Sequence, residues 1–453
     1  MWQFVTTLVK SPAWLLLKRR DFGLLWAGET VSQIGDGLNK VALLWFAYQT
    51  SHSALRTSLI GILQTVPPLA LAPVIGVYLD RLPKRPTMIV INVLHGILVA
   101  LIPLLYGFGL LSLGLLYALV LLISIVSAFY GPALMAALPL VSKRSELRPA
   151  NALIQGTSMI GVLVGPVVAG VGIAAFGIAK VLYADALTFA FLVGCLLFVR
   201  MRETNALGPL PSRFSEFAQS IREGLDFLLR RQRGILFLTL VSGLQNIGAS
   251  AFLFLLPAVV KKDLDLDAVS LGFIWSAFGS GMLLATLLIA LLKLQPRALL
   301  YIVLSSLVLG GLSIASLAYV KSSLAAATLM VIIGFSAAAF NPVVFTLLQD
   351  STPEELRARV ITAFNTATTS MAMLGMLVFG WAADRVGQDP TMIAIGVVLL
   401  FTAIALVFVS RVTSARDLLF AERLSRPDDP DAADTVHDEP LRRSEHALSR
   451  AET

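Results

Sequence analysis

"GETVSQIGDGLNKVA", residues 28–42, sits inside a run that otherwise reads as a bilayer-crossing helix, yet it carries Glu29, Asp36 and Lys40. Each full charge at the centre of a membrane helix costs about 2.5–3.5 kcal/mol on insertion scales. At about 100° per residue, Gln33, Asp36 and Lys40 all fall within about 40° of Glu29, so the four share one stripe while the other faces are apolar. Glu29 and Lys40 lie about 16 Å apart along the helix axis, with Asp36 near the bilayer midplane. Such a stripe must face a watery cavity or a polar partner and never lipid.

The rest of the chain supplies a membrane context. Its 453 residues are 57% hydrophobic and 14% charged, with a mean hydropathy of +0.82. A soluble domain carries about 25% charged residues. The net charge of +7 does not point to nucleic acid, because the Lys and Arg sit in short gaps between apolar runs and do not cluster on a soluble face. Cys195 is the single cysteine, which excludes an intramolecular disulfide and a Cys-based metal site. No "GxxxxGKS" run marks ATP as the energy source. The four histidines, at 52, 95, 437 and 446, form no metal-ligand or triad pattern, so neither an enzyme, a metal site nor a cofactor is expected.

A hydrocarbon core about 30 Å thick takes about 20 residues of helix. Spans are expected at 22–49, 55–79, 87–108, 111–136, 150–174 and 180–199, then at 234–260, 268–292, 297–319, 323–348, 359–384 and 390–411. This is an all-α membrane protein with twelve transmembrane helices in two six-helix bundles, 21–199 and 234–411. Residues 1–20 read as an amphipathic segment on the membrane surface and not as a cleaved signal, since their basic residues follow the apolar stretch. Residues 200–233 form a central loop. Residues 412–453 are polar, charged and Pro-containing, and are expected to be a disordered tail. Most Lys and Arg lie on one side of the spans, with Arg56, Lys180, Lys261, Lys262, Lys321 and Arg385 on the other. The positive-inside rule then puts both termini, the central loop and the tail in the cytoplasm of a multi-pass cell-membrane (inner-membrane) protein.

The halves match at a constant offset of 210 residues: Ser32 with Ser242, Asp36 with Asn246, Pro132 with Pro342, Gly165 with Gly375 and Gly170 with Gly380. A duplicated six-helix unit is a transporter architecture with its site between the halves. Glu29, Asp36 and Lys40 map onto Thr239, Asn246 and Ser250. Packing alone would give the duplicate helix the same charges, so the coupling chemistry is expected in the first half. Gln245 and Asn246 would offer neutral hydrogen bonds from the second.

Two stretches carry a family resemblance. "GVYLDRLPKRP", residues 76–86, with Gly76, Asp80, Arg81, Lys84 and Arg85, resembles the cytoplasmic signature of the major facilitator superfamily. "GVLVGPVVAG" places Gly161, Gly165 and Gly170 on span 5 with Pro166 among them. It is similar to a pattern found in that superfamily's antiporter-type exporters. Gly161 and Gly165 make a small-xxx-small face and Pro166 a kink. The resemblance covers roughly residues 20–411 and implies that the first signature is a conformational latch between the bundles. Pro83 stands where the family usually has Gly, which stiffens the loop. "RRDFGLLWAGETVSQIGDGLNKVAL", "FYGPALMAALPLV", "YADALTF" and "NPVVFTLLQDSTPEELRARV" look like the branch containing the enterobactin exporter and the macrolide-efflux proteins. That implies export of bulky, largely apolar molecules by a monomer exchanging them for protons. Span 4 has no arginine, unlike many proton-coupled exporters of the superfamily. An uncoupled flippase and a transport-dead sensor therefore stay open as alternatives.

Within this reading, Glu29 and Asp36 exchange protons with substrate while Lys40 sets the charge of Asp36. The alternative is an Asp36–Lys40 pair at i,i+4 that only neutralises itself. Tyr130, with Gln245 and Asn246, is expected to line the substrate cavity. Asp185 and His95 are read as structural.

Overall fold

The computed structural model describes residues 12–79, 81–201, 233–263, 266–291, 296–352 and 354–412. The first eleven residues, nearly all of the expected central loop and nearly all of the tail lie outside them. A short helix, Pro12–Leu17, precedes the long ones. Among the described residues twelve long helices follow, the first six being α1 Arg20–Ser51, α2 Ala54–Leu79, α3 Lys84–Gly107, α4 in two pieces (Leu113–Ser127 and Tyr130–Val141), α5 Leu147–Phe176 and α6 Ile178–Phe198. The second half contributes α7 Arg233–Ala258, α8 Ala268–Leu291, α9 Pro296–Leu317, α10 Ser323–Asp350, α11 Glu354–Val386 and α12 Gln388–Val412. All but α1 contain a stretch long and apolar enough to cross a membrane. The 32-residue α1 carries Glu29, Asp36 and Lys40 in its middle, and it packs chiefly against α5 and α6.

The helix ends follow local chemistry. Ser112 caps α4 by accepting the Leu115 amide at 3.2 Å. The turns after α5 and α11 are made by Gly177 (φ 84°) and Gly387 (φ 96°), a left-handed geometry that favours glycine. Those two glycines stand 210 residues apart, so the turn is part of the duplication. The two pieces of α4 part at Ala128–Phe129. Pro132 has no N–H to give the Ala128 carbonyl, which is the physical reason for the break.

Glycines set the helix spacing. A Cβ on Gly165 of α5 would lie 2.6 Å from the Gly37 Cα of α1 and 2.9 Å from the Ile34 carbonyl oxygen. A Cβ on Gly161 would lie 3.1 Å from the Gln33 Cβ. The contact recurs in the second bundle, where a Cβ on Gly375 of α11 would lie 2.7 Å from the Ile247 Cα of α7. Gly37 and Ile247 are themselves 210 residues apart. The bundles meet through a second duplicated contact. Gly170 of α5 abuts the Ala268 carbonyl oxygen of α8 at 2.7 Å from its would-be Cβ, and Gly380 of α11 abuts Ser58 Oγ of α2 at 3.1 Å.

We call the end with Arg20 and Leu79 the near end, and the end with Ser51 and Ala54 the far end. Both inter-bundle glycine contacts lie toward the far end. Along α2, Ala54, Thr57, Ser58 and Ile60 are buried, whereas Ala70, Ala72 and Tyr78 near the other end are exposed.

An isopropyl group added at a backbone contact costs about 1–3 kcal/mol in overpacking. Gly165→Val and Gly375→Val are both expected to lower the thermal unfolding midpoint of the purified protein, read by intrinsic tryptophan fluorescence. A midpoint equal to the parent's in both would contradict direct backbone contact.

Candidate functional site

The flanks of α1 decide where its stripe points. A Cβ on Gly28 would lie 2.8 Å from Leu192 Cδ1, and one on Gly35 would lie 2.5 Å from Asp185 Oδ1, both on α6. Gly37 meets α5. With those two neighbours seated on glycine, the Glu29–Gln33–Asp36–Lys40 stripe is left to the remaining side.

The stripe divides in two. Glu29 is only 2% exposed. Its Oε2 accepts the Tyr130 hydroxyl at 2.6 Å and its Oε1 accepts Gln33 Nε2 at 2.9 Å. Tyr130 opens the near-end piece of α4, so the break in that helix presents the phenol to Glu29. Tyr130 therefore reaches the acidic stripe, where the sequence reading set it on the substrate cavity. Asp36 and Lys40 are both exposed to the space beside α1. They do not form the i,i+4 ion pair that their spacing suggested. Among the described residues the ion pair is Arg19–Glu146, at 2.6 Å. Lys40 instead crosses to the other bundle, where its Nζ lies 5.6 Å from the centroid of the Trp275 ring on α8. A cation over the face of tryptophan is attracted by the ring quadrupole, which a long flexible lysine can reach.

Behind Asp36 lies a polar contact that sequence spacing could not show. Asp185 is fully buried and accepts Asn39 Nδ2 at 2.5 Å, while the Thr188 hydroxyl donates to the Asp185 backbone carbonyl at 2.7 Å. Asp36 is within electrostatic range of Glu29 and of Asp185. Asn39 and Asp185 are separated by 146 residues, and no local pattern links the two.

Between the bundles is a cavity of about 490 Å³, lined by Lys40, Gln245, Asn246, Trp275 and Asn341 among mainly apolar groups such as Phe252 and Phe278. That size is ordinary for a small-molecule site. Gln245 is buried, and its Oε1 has no hydrogen-bond partner among the described residues. Asn246 donates to the Ser242 carbonyl at 2.9 Å. Trp275 and Asn341 were not singled out from sequence, since aromatics and amides on apolar helices carry no local signal of what they line.

Of the loop signature, Asp80 lies outside the described residues and Gly76 falls within α2. Arg81 is exposed. Lys84 donates to the Leu79 and Leu82 carbonyls at the end of α2, and Arg85 donates to the Leu196 and Leu197 carbonyls at the end of α6. These contacts stay inside the first bundle, where cations suit helix C-termini. On α5, Gly161 and Gly165 meet α1, and Gly170 meets α8. Pro166 is buried within the helix. His95 stacks on Phe189 at 4.1 Å between centroids.

The family model described as Major Facilitator Superfamily matches residues 25–376. The chain belongs to that superfamily. As a member it is a transporter and not an enzyme. It is 23% identical over 384 residues to macrolide efflux protein A of Streptococcus pyogenes, covering 84% of this chain and 94% of that one. It is 25% identical over 421 residues to the multidrug efflux pump Tap of Mycolicibacterium fortuitum, covering 90% and 98%. Among solved structures, the nucleoside transporter NupG aligns with a TM-score of 0.69 at 15% identity, over 85% of this chain and 98% of that chain. A bacterial homologue of the human lysosomal transporter Spinster aligns with a TM-score of 0.65 at 13% identity, over 90% and 98%. These likenesses support the twelve-helix, two-bundle superfamily fold.

Tyr130→Phe removes the phenol donor to the buried Glu29 carboxylate, and a lost partner of this kind costs about 1–3 kcal/mol. It is expected to lower the thermal midpoint, and Tyr130→Phe with Glu29→Gln is expected to cost less than the sum of the two single changes. Additive losses would show that the two side chains are not coupled.

Proposed function

We propose that this superfamily member exports bulky, largely apolar small molecules in exchange for protons, by alternating access between its two bundles. The observation that carries the reading is Asp36, a carboxylate at mid-helix, open to the space beside α1 and without its expected lysine partner. The efflux names of the macrolide and multidrug relatives support the substrate class.

The coupling follows from solvation. An ionised Asp36 is tolerated while water reaches it, but closing the bundles over it strips that water, at a cost of several kcal/mol for a bare charge. Two things remove the penalty, a proton on the carboxyl or a cationic group of the substrate beside it. The loaded and the protonated transporter can therefore both cross the closed state, whereas the empty ionised one is held back. Glu29, Tyr130 and Asp185 are the titratable groups around Asp36 from its own helix, α4 and α6 respectively. In the cavity, Trp275, Phe252 and Phe278 supply apolar contact, and the unpartnered Gln245 Oε1 accepts a hydrogen bond from the substrate. Both termini face the cytoplasm in this reading, and one chain acts alone without ATP or a bound cofactor.

The absence of an arginine from α4 favours a second reading, an uncoupled facilitator or flippase of a lipid-like molecule. Proteoliposomes carrying the full chain, with a macrolide and a panel of lipophilic dyes as probes, separate the two. Proton antiport predicts that an imposed pH gradient drives probe accumulation and that Asp36→Asn reduces this to the level of empty liposomes. Gradient-driven transport by Asp36→Asn with an unchanged pH dependence would overturn the coupling role. Probe flux indifferent to the gradient in the parent protein would establish the uncoupled reading.

A further inference from the structure

The far ends of α2 and α11 hold a contact that the transport reading does not use. The first amides of any helix lack intrahelical acceptors. At the start of α2, the Ala54 amide donates to Asp384 Oδ1 at 2.6 Å and the Leu55 amide to Asp384 Oδ2 at 3.2 Å. The Ser53 hydroxyl adds a third bond, to Oδ2 at 2.5 Å. Ser53 Oγ in turn accepts the Arg56 amide at 3.1 Å. The carboxylate that completes this helix start thus comes from α11, in the opposite bundle. It also lies against the positive end of the α2 dipole.

Gly380 makes the reach possible. One turn before Asp384, its missing side chain lets α11 approach the α2 backbone, since a Cβ there would lie 3.0 Å from the Leu55 Cα. The equivalent junction between α5 and α8 lacks the device. Ala174 stands 210 residues before Asp384, and α8 starts on its own Asp267, which accepts the Ser270 amide at 2.9 Å. Of two duplicated junctions, one has gained a carboxylate from across the gap. The sequence around it, Gly380-x-x-x-Asp384-Arg385, repeats the spacing of Gly76-x-x-x-Asp80-Arg81 at the other end of the partner helix α2. Helices α2 and α11 run antiparallel across the interface, so each carries a Gly-x-x-x-Asp-Arg where it leaves the membrane.

We propose that Asp384 is a positioning residue for transport: it latches the far ends of the bundles together and holds the state in which the cavity opens toward the near end. The far side is then sealed, with Ala54, Thr57 and Ser58 buried at the start of α2, while Asp36 stays exposed beside α1. Opening the far side requires Asp384 to leave the α2 amides, which then take water. The latch rests on alternating access but not on the identity of substrate or coupling ion.

The test reads conformation without substrate or gradient, so its failure leaves the proton-antiport reading standing. In a Cys195→Ser background of the full chain, one spin-label pair is placed at Leu110 and Lys321 on far-end loops of the two bundles, and another at Ser145 and Leu291 at the near end. Double electron–electron resonance then gives the distance populations. Asp384→Ala is expected to raise the ratio of far-open to far-closed molecules by about fivefold, the usual worth of one helix cap, with the near-end pair shortening in step. Asp384→Asn keeps one acceptor oxygen in place and is expected to fall between Ala and the parent. Distributions in Asp384→Ala equal to the parent's would overturn the latch. So would a broadening of both pairs together, which marks local loosening and not an exchange of states.

Discussion

A charge placed within hydrocarbon has to be given a polar surrounding by the protein itself, and the first bundle is arranged to do that for α1. Glycine at 28, 35 and 37 lets α5 and α6 press against the helix backbone on its flanks, which fixes the rotation of α1 about its axis. The acidic stripe has one direction left. Glu29 is buried and satisfied there by a phenol and an amide, whereas Lys40 lines the cavity between the bundles and Asp36 is exposed beside α1. One helix therefore holds two kinds of polar group, one fixed by structure and one accessible to exchange.

The second bundle repeats the packing without the charge. Gly375 meets Ile247 as Gly165 meets Gly37, and Gly380 meets Ser58 as Gly170 meets Ala268. The shared backbone contacts show that the fold depends on glycine placement at these helix crossings. The unshared side chains show where the halves have parted. Asp36 faces Asn246 across the duplication, and Asp384 faces Ala174. Each difference adds a carboxylate to one half that the other half lacks.

The twelve helices were legible from hydropathy and spacing because each is a local object, and the observed bounds fall within a few residues of those expected. The stripe on α1 was legible for the same reason, since helical periodicity is contained within eleven residues. Its partners were not. Tyr130 lies 101 residues from Glu29, Trp275 is in the other half, and Asn39 finds Asp185 only after α6 has folded back. Spacing misled at Asp36 and Lys40, where i,i+4 proximity suggested an ion pair. A lysine is long enough to reach a tryptophan face across the cavity, and local spacing carries no information about that rival.

The backbone-to-backbone contact of α1 with α5 also has a mechanical consequence. Helices seated that closely resist sliding or rolling against each other, so in the proposed alternating access the first bundle would turn as one stiff body. With 32 residues in α1, each arm extends about 24 Å from the midpoint. A rotation of about 20° then carries the helix end through about 8 Å, roughly the width of an aromatic ring system. In the proposed alternating access, a small turn at the pivot would thus be amplified into a passage about one aromatic ring system wide, with the internal contacts of the bundle left as they are.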